Sequence, residues 1–222
     1  MGRHHGGTPD TLHAAIYTCL WRREAHCTLV GGLSTAAYIP TTGGSSGELG
    51  GGREGPFTDK EWVTILETPT YVTSNMRFRL IQNYVIQRAY LTPGKINRYF
   101  ARTDAACPRS QSIGAELLHM RWSCPTLSHY WSSILACLMH CVDRPLQLTC
   151  EVCILGLFPK GKMLKSTSRF LDLGLVVAKR LITHKWRAPE SPTCEAWARS
   201  FSVWASAEYA ALRREVALGL RK

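Results

Sequence analysis

The sequence predicts an all-α fold: a small irregular helical domain of about six to seven helices, preceded by a flexible glycine-rich arm. Three observations lead there. Beyond residue 57, apolar side chains recur at i, i+3, i+4 and i+7, the period of a helix with one buried face. No segment shows the sustained two-residue alternation of a half-buried strand. Prolines and hydroxyl residues stand where such helices would begin. With 222 residues, 45% of them hydrophobic, the chain can bury a core.

The composition changes near residue 56, which divides the chain into an unplaced, largely disordered arm (1–55) and a helical C-terminal domain (56–222). The arm ends in a run with seven glycines between Gly43 and Gly55. Such a run has too little apolar surface to offset its ordering entropy and reads as a linker. A short helix over 11–23 is suggested by Leu12, Ile16 and Leu20.

In the C-terminal domain, residues 59–67 read as a short helix closed by Thr68-Pro69. A second helix spans about 74–90, with Phe78, Ile81, Val85 and Ala89 on one face. Thr92-Pro93 opens a third, through Phe100, because proline suits the first helical turn. Over 125–142, Leu127, Tyr130, Trp131, Ile134, Leu135, Leu138, Cys141 and Val142 form an unbroken apolar stripe. Ser166, Thr167 and Ser168 offer caps for a helix with Leu171, Leu175, Ala178, Ile182 and Trp186 on one side, stopped at Pro189. Ser191-Pro192 starts the last, which buries Trp197, Phe201, Trp204, Ala205 and Leu212.

The formal charge of +11 favours anionic partners, nucleic acid first, through displacement of counterions from phosphates. No apolar run reaches the length needed to cross a bilayer, and no export signal is visible, so the expectation is an intracellular protein with no membrane partner. The nine cysteines are then reduced thiols or metal ligands. The sequence excludes several enzyme classes. Its five aspartates are scattered, with no Asp-Asp pair to hold the two metals of a polymerase. It has no Gly-x4-Gly-Lys-Ser/Thr phosphate loop and no Gly-x-Ser-x-Gly elbow. The expectation is a protein that is not an enzyme.

The most chemical stretch, 107–124, reads C-x2-S-x8-H-x4-C, formed by Cys107, Ser110, His119 and Cys124. A Cys-x2-Cys turn points two sulfurs at one metal, and a following His and Cys complete the tetrahedron that zinc prefers. Here Ser110 stands at the fourth position, and a neutral hydroxyl is a poor zinc ligand. The expectation is a degenerate site: a turn packed by hydrophobic contacts, with any zinc binding weakened. Five residues separate His119 from Cys124, which an α-helix would turn apart, but Cys124 precedes Pro125 and can bend back. A second group, Cys137, Cys141, Cys150 and Cys153, reads as small hydrophobes in the core.

An ordered set of motifs adds to this reading: Trp62-Val-Thr-Ile-Leu, Asn75-Met-Arg-Phe-Arg-Leu-Ile-Gln82, Arg88-Ala-Tyr-Leu-Thr-Pro93, Cys107-Pro, Leu118-His-Met-Arg-Trp-Ser-Cys-Pro125, Tyr130-Trp131, Ile154-Leu-Gly156 and Ala178-Lys-Arg-Leu-Ile182, then Trp186, Pro189 and Trp197. From about residue 57 to 222 the chain resembles the C-terminal region of LINE-type (non-LTR) retrotransposon reverse transcriptases of vertebrates. That segment follows the polymerase domain and carries the reverse-transcriptase zinc-binding motif. The resemblance implies that Cys107, His119 and Cys124 occupy zinc-ligand positions, with Ser110 in place of a cysteine. It also implies that the segment helps the polymerase hold template RNA and target DNA.

The charge pattern agrees with such a role. Between residues 68 and 103 there is no acid, whereas Arg77, Arg79, Arg88, Lys95, Arg98 and Arg102 are interleaved with Tyr84, Tyr90, Tyr99 and Phe100. Arginines with aromatic rings are the composition of a single-strand contact surface. A second basic region, 160–187, contains Lys179, Arg180 and Lys185 and one acid, Asp172. Both regions are candidate phosphate contacts, against the plainer reading of solvated helix faces. The function expected is that of a non-catalytic, nucleic-acid-binding fragment of a reverse transcriptase, binding RNA or single-stranded DNA. The alternatives are an interaction module that docks on a polymerase domain, with Trp197 or Trp204 in its face, or a translated transposon remnant without function.

Overall fold

The computed structural model describes residues 57–100, 103–158 and 163–218. The arm, its linker and the helix expected over 11–23 lie outside them, as does Arg102. Among the described residues there are six α-helices and no strand, in agreement with the expected fold class. In chain order they are α1 (Asp59–Val72), α2 (Met76–Ile86), α3 (Pro93–Tyr99), α4 (Pro125–Val142), α5 (Lys165–His184) and α6 (Cys194–Ala217). Two π-helical turns, His119–Ser123 and Glu151–Leu155, precede and follow α4. The described residues up to Trp197 form one compact unit, and those from Ala198 onward belong to a second.

In the first unit α5 is the hub. It packs against α1, α2 and α4 and against the turn Glu151–Leu155. With neighbours on so many sides it has little solvent face, and every residue from Phe170 to Lys179 is buried. Trp197, at the start of α6, donates its indole N–H to the Gly174 carbonyl at 2.9 Å, anchoring that end of α6 on α5. It is almost fully buried, so it is not the exposed docking residue that the sequence suggested. Further along α6, Phe201 and Ala205 are buried, Trp204 and Leu212 are half-buried, and the Arg213 guanidinium lies 5.9 Å over the Tyr209 ring.

Helix α1 starts at a capping box. Thr58 N–H donates to the Glu61 carboxylate at 2.9 Å, and Glu61 N–H donates to the Thr58 hydroxyl. Pro69 does not end it, contrary to expectation: the helix continues to Val72 with proline inside. Pro69 denies Ile65 its carbonyl bond, but Ile65, Thr68, Pro69 and Val72 form the buried face of this last part. Burial outweighs the local break. The carbonyls left at the end are taken by two arginines: Arg169 Nε donates to Val72 O at 3.0 Å and Arg79 Nε to Thr73 O at 2.7 Å.

Helix α2 is shorter than its apolar period suggested. It ends at Ile86, and Arg88 adopts a left-handed backbone with φ 51°, so Ala89 leaves the helix face and is exposed. Helix α3 has the expected Thr92 cap, whose hydroxyl accepts from Lys95 N–H at 3.1 Å, and Pro93 as first residue. Helix α4 spans the expected residues. Helix α5 begins after Leu164 with no side-chain cap, not at the serines 166 and 168, and Trp186 lies beyond its end.

Candidate metal centre and nucleic-acid interface

Cys107, Ser110, His119 and Cys124 come together. A turn closed by Gln111 N–H to Cys107 O and Cys107 N–H to Ser112 O, both 2.8 Å, presents Cys107 and Ser110 on one side. On the other, the π-helical turn closes with Cys124 N–H donating to His119 O at 3.1 Å. This i to i+5 bond stacks two residues that an α-helix would rotate apart. Cys124 itself is extended (φ −64°, ψ 123°), as its place before Pro125 requires. The sulfurs of Cys107 and Cys124 are 3.9 Å apart, and the ligand atoms of Cys107, His119 and Cys124 all lie within 4.8 Å of one another. Two thiolates on a tetrahedral zinc with bonds of about 2.3 Å would be about 3.8 Å apart. The cluster could hold a metal ion. Among the described residues it is the one group of three or more such side chains so placed.

The electrostatics suit ligation. Burial, reinforced by the Arg109 charge, holds His119 below the ordinary imidazole range, which keeps it neutral. Burial would raise the Cys124 thiol, but hydrogen bonds from Thr126, Ser110 and Arg109 outweigh it and hold the thiol below its ordinary range. The Thr126 hydroxyl lies 3.1 Å from the sulfur. Ser110 Oγ shares a hydrogen bond with His119 Nε2 at 3.0 Å, so the hydroxyl occupies the side of the cluster where a fourth ligand belongs. Cys107 and Cys124 are sealed from solvent.

The π-helical turn also carries a residue that the sequence reading passed over. Arg121 is fully buried and has no carboxylate partner among its hydrogen bonds: Nη1 donates to Lys179 O at 2.7 Å and Nη2 to Thr183 Oγ1 at 2.8 Å. Its guanidinium lies 4.2 Å from the centroid of Tyr90 and 5.2 Å from that of Trp186. Burial lowers its pKa to about 10, partly opposed by Tyr90, so it stays charged at neutral pH. Its place between two candidate ligands was the available signal.

Tyr90 and Trp186 belong to the two basic regions, which meet here. Trp186 Nε1 donates to Leu91 O at 3.0 Å, the Tyr90 and Trp186 rings are 5.3 Å apart, and Tyr84 lies 5.9 Å from Tyr90. Tyr84 is exposed, and Tyr90 and Trp186 are half-buried. The result is a row of three rings with Arg121 beneath it. Arg88 and Arg187 are exposed close by in sequence, Lys185 lies 3.9 Å from Glu190, and Lys95 Nζ donates to the Arg88 carbonyl.

The other candidate contacts separate. Arg77 is exposed at the start of α2. Arg79 is half-buried and committed to the α1 carbonyls Thr73 O and Thr70 O. Arg98 pairs with Glu116 at 2.8 Å. Arg180 is half-buried, 5.3 Å over the Phe78 ring, with Nε donating to His184 Nε2. Lys179 is a correction. It is 1% exposed and donates from Nζ to Ile154 O at 2.9 Å, so it cannot reach a phosphate. Burial lowers its pKa while Asp172 opposes the shift. The same burial raises the Asp172 carboxyl, opposed by Lys179. Tyr99 and Phe100 are exposed rather than core.

No protein-family model matches the chain, and no curated protein is significantly similar to it. No helix among the described residues is long and apolar enough to cross a membrane.

Proposed function

We propose that this chain is a non-catalytic nucleic-acid-binding segment, akin to the C-terminal region of a LINE-type reverse transcriptase, that holds RNA or single-stranded DNA. The observation that carries this reading is the Tyr84–Tyr90–Trp186 row, where two basic regions about a hundred residues apart converge. Rings of this kind stack unpaired bases, each contributing about 1–3 kcal/mol, while neighbouring arginines and lysines take the phosphates. Arg88, Lys95, Lys185 and Arg187 fill that second role. The motifs quoted above, from Trp62 to Trp197, support the same reading from the sequence side.

Any zinc in this reading would be held weakly, by Cys107, His119 and Cys124, because a serine hydroxyl stands in the fourth position. An ion there would fix the π-helical turn and, through it, Arg121 beneath the rings. Its part there would be that of a brace for the binding surface.

The test is a titration of the full chain with labelled single-stranded RNA between about 50 and 200 mM salt. Three or four phosphate contacts at about 0.7 each give a log–log slope of about −2 to −3. Undetectable or salt-indifferent binding would reject the reading. A second reading, docking on a polymerase domain, draws on Trp62, Leu66, Met76 and Leu80, which expose apolar surface on α1 and α2. It predicts no RNA binding by this chain alone.

A further inference from the structure

Outside the metal centre, two thiols from distant parts of the sequence meet. Cys137 lies in the second half of α4, and Cys194 is the first residue of α6. Their sulfurs are 3.6 Å apart. Cys137 is 5% exposed and Cys194 is half-buried. We propose that Cys137 and Cys194 form a reversible oxidation site, which a peroxide-class oxidant converts to a disulfide stapling the start of α6 to α4.

Their contact and the exposure of Cys194 set this pair apart from the sealed thiols Cys107, Cys124, Cys150 and Cys153. Cys194 is the first residue of a 24-residue helix and is half-buried. It is also reachable from solvent, so the first attack falls on it. Cys150 and Cys153 are sealed in the core, and burial pushes Cys150 up to about 12 and Cys153 well above its ordinary range. Cys107 and Cys124 are close to each other but are 0% and 1% exposed.

Both segments are already held against α5. One turn past Cys194, Trp197 already locks α6 to Gly174 of α5, and Gly174 lies so close to Leu138 that a Cβ there would stand 2.8 Å from the leucine methyl. The start of α6, α5 and α4 are therefore in register, and the sulfurs have only about 1.5 Å to close before reaching a bond of about 2.05 Å.

The chemistry balances with one peroxide. The Cys194 thiolate attacks a peroxide oxygen, the O–O bond breaks, and hydroxide leaves, giving a sulfenic acid. The Cys137 thiolate then attacks the Cys194 sulfur, hydroxide leaves again, and the S–S bond forms. Two thiols lose two electrons and two protons; the peroxide accepts both and departs as two waters. A dithiol reductant reverses the product by exchange.

The experiment treats the reduced full chain with substoichiometric hydrogen peroxide, alkylates the remaining thiols, and maps peptides without reduction. The expected product is a Cys137–Cys194 linked peptide, two hydrogens lighter than the sum of its parts, that disappears on addition of dithiol and persists in Cys141→Ser. In Cys194→Ser, with folding checked by circular dichroism, Cys137 stays alkylatable. Should that variant fail to fold, the order of protection in the unmutated chain decides alone. Formation of a Cys107–Cys124 link first, a Cys194 that proceeds to sulfinic acid unpaired, or pairing of Cys194 with another cysteine would each overturn the proposal.

Discussion

Replacing Ser110 by cysteine should convert a three-ligand site into a tight one. Ser110 Oγ already lies 3.0 Å from His119 Nε2, where sulfur and nitrogen across a tetrahedral zinc would be about 3.5 Å apart. The longer C–S bond and a small rotation of the side chain cover the difference. Four-ligand structural sites hold zinc with about 10–16 kcal/mol; divided evenly, one ligand contributes about 2.5–4 kcal/mol. That is about two to three powers of ten in Kd. The assay is competition with a chromogenic chelator at fixed pH, followed by thermal melts with and without chelator. At a free zinc concentration of about 100 times Kd, linkage adds about 2.7 kcal/mol of stability. For a chain of this size that is about 5–11 °C in Tm. The reasoning fails if Ser110→Cys binds zinc no more tightly than the unmutated chain, or if the unmutated chain already binds one zinc stoichiometrically and tightly.

Four further substitutions have outcomes that follow from where the structure places particular residues. Arg79→Ala should lower stability by about 1–2 kcal/mol in urea unfolding, because Arg79 closes the end of α1. Its RNA affinity should be unchanged, whereas Arg88→Ala should leave stability alone and reduce the salt slope of RNA binding by about 0.7. Lys179→Ala should lower stability in urea unfolding, because it empties a fully buried position and removes the Nζ–H bond to the Ile154 carbonyl; a variant with normal stability but weakened RNA binding would contradict its burial. Gly156→Ala should lower the melting temperature markedly. Gly156 has φ +75°, which costs an L residue about 1–2 kcal/mol. Its new Cβ would also stand 2.5 Å from Asp172 Oδ1.

What the sequence disclosed follows from how local each rule is. Helix α4 was legible end to end, since Pro125 starts it and its apolar stripe is continuous. Pro69 misled because a helix-breaking rule considers one carbonyl, whereas the buried face formed with Ile65, Thr68 and Val72 decides the matter in three dimensions. Arg88 gave no warning of its left-handed backbone, so α2 was drawn one turn too long. Lys179 misled for a different reason. A periodic pattern shows one apolar stripe but cannot count neighbours, and α5 packs against three helices and a turn. The metal cluster was legible as residue types, and the place of Cys124 before Pro125 was read correctly. The π-helical turn that brings His119 and Cys124 together was hidden in their spacing of five. The row of rings was only half visible: Tyr84 and Tyr90 stood among arginines, but Trp186 joined them through a tertiary bond to Leu91 O.

Photochemical crosslinking to a single strand containing 4-thiouridine addresses the central claim most directly, because it reports which side chains the bases touch. Irradiation of the complex at low salt should place the oligonucleotide on peptides containing Tyr84, Tyr90 or Trp186, with the yield falling in Tyr84→Ala. Crosslinks that avoid all three rings, or an equal yield in Tyr84→Ala and the unmutated chain, would contradict it.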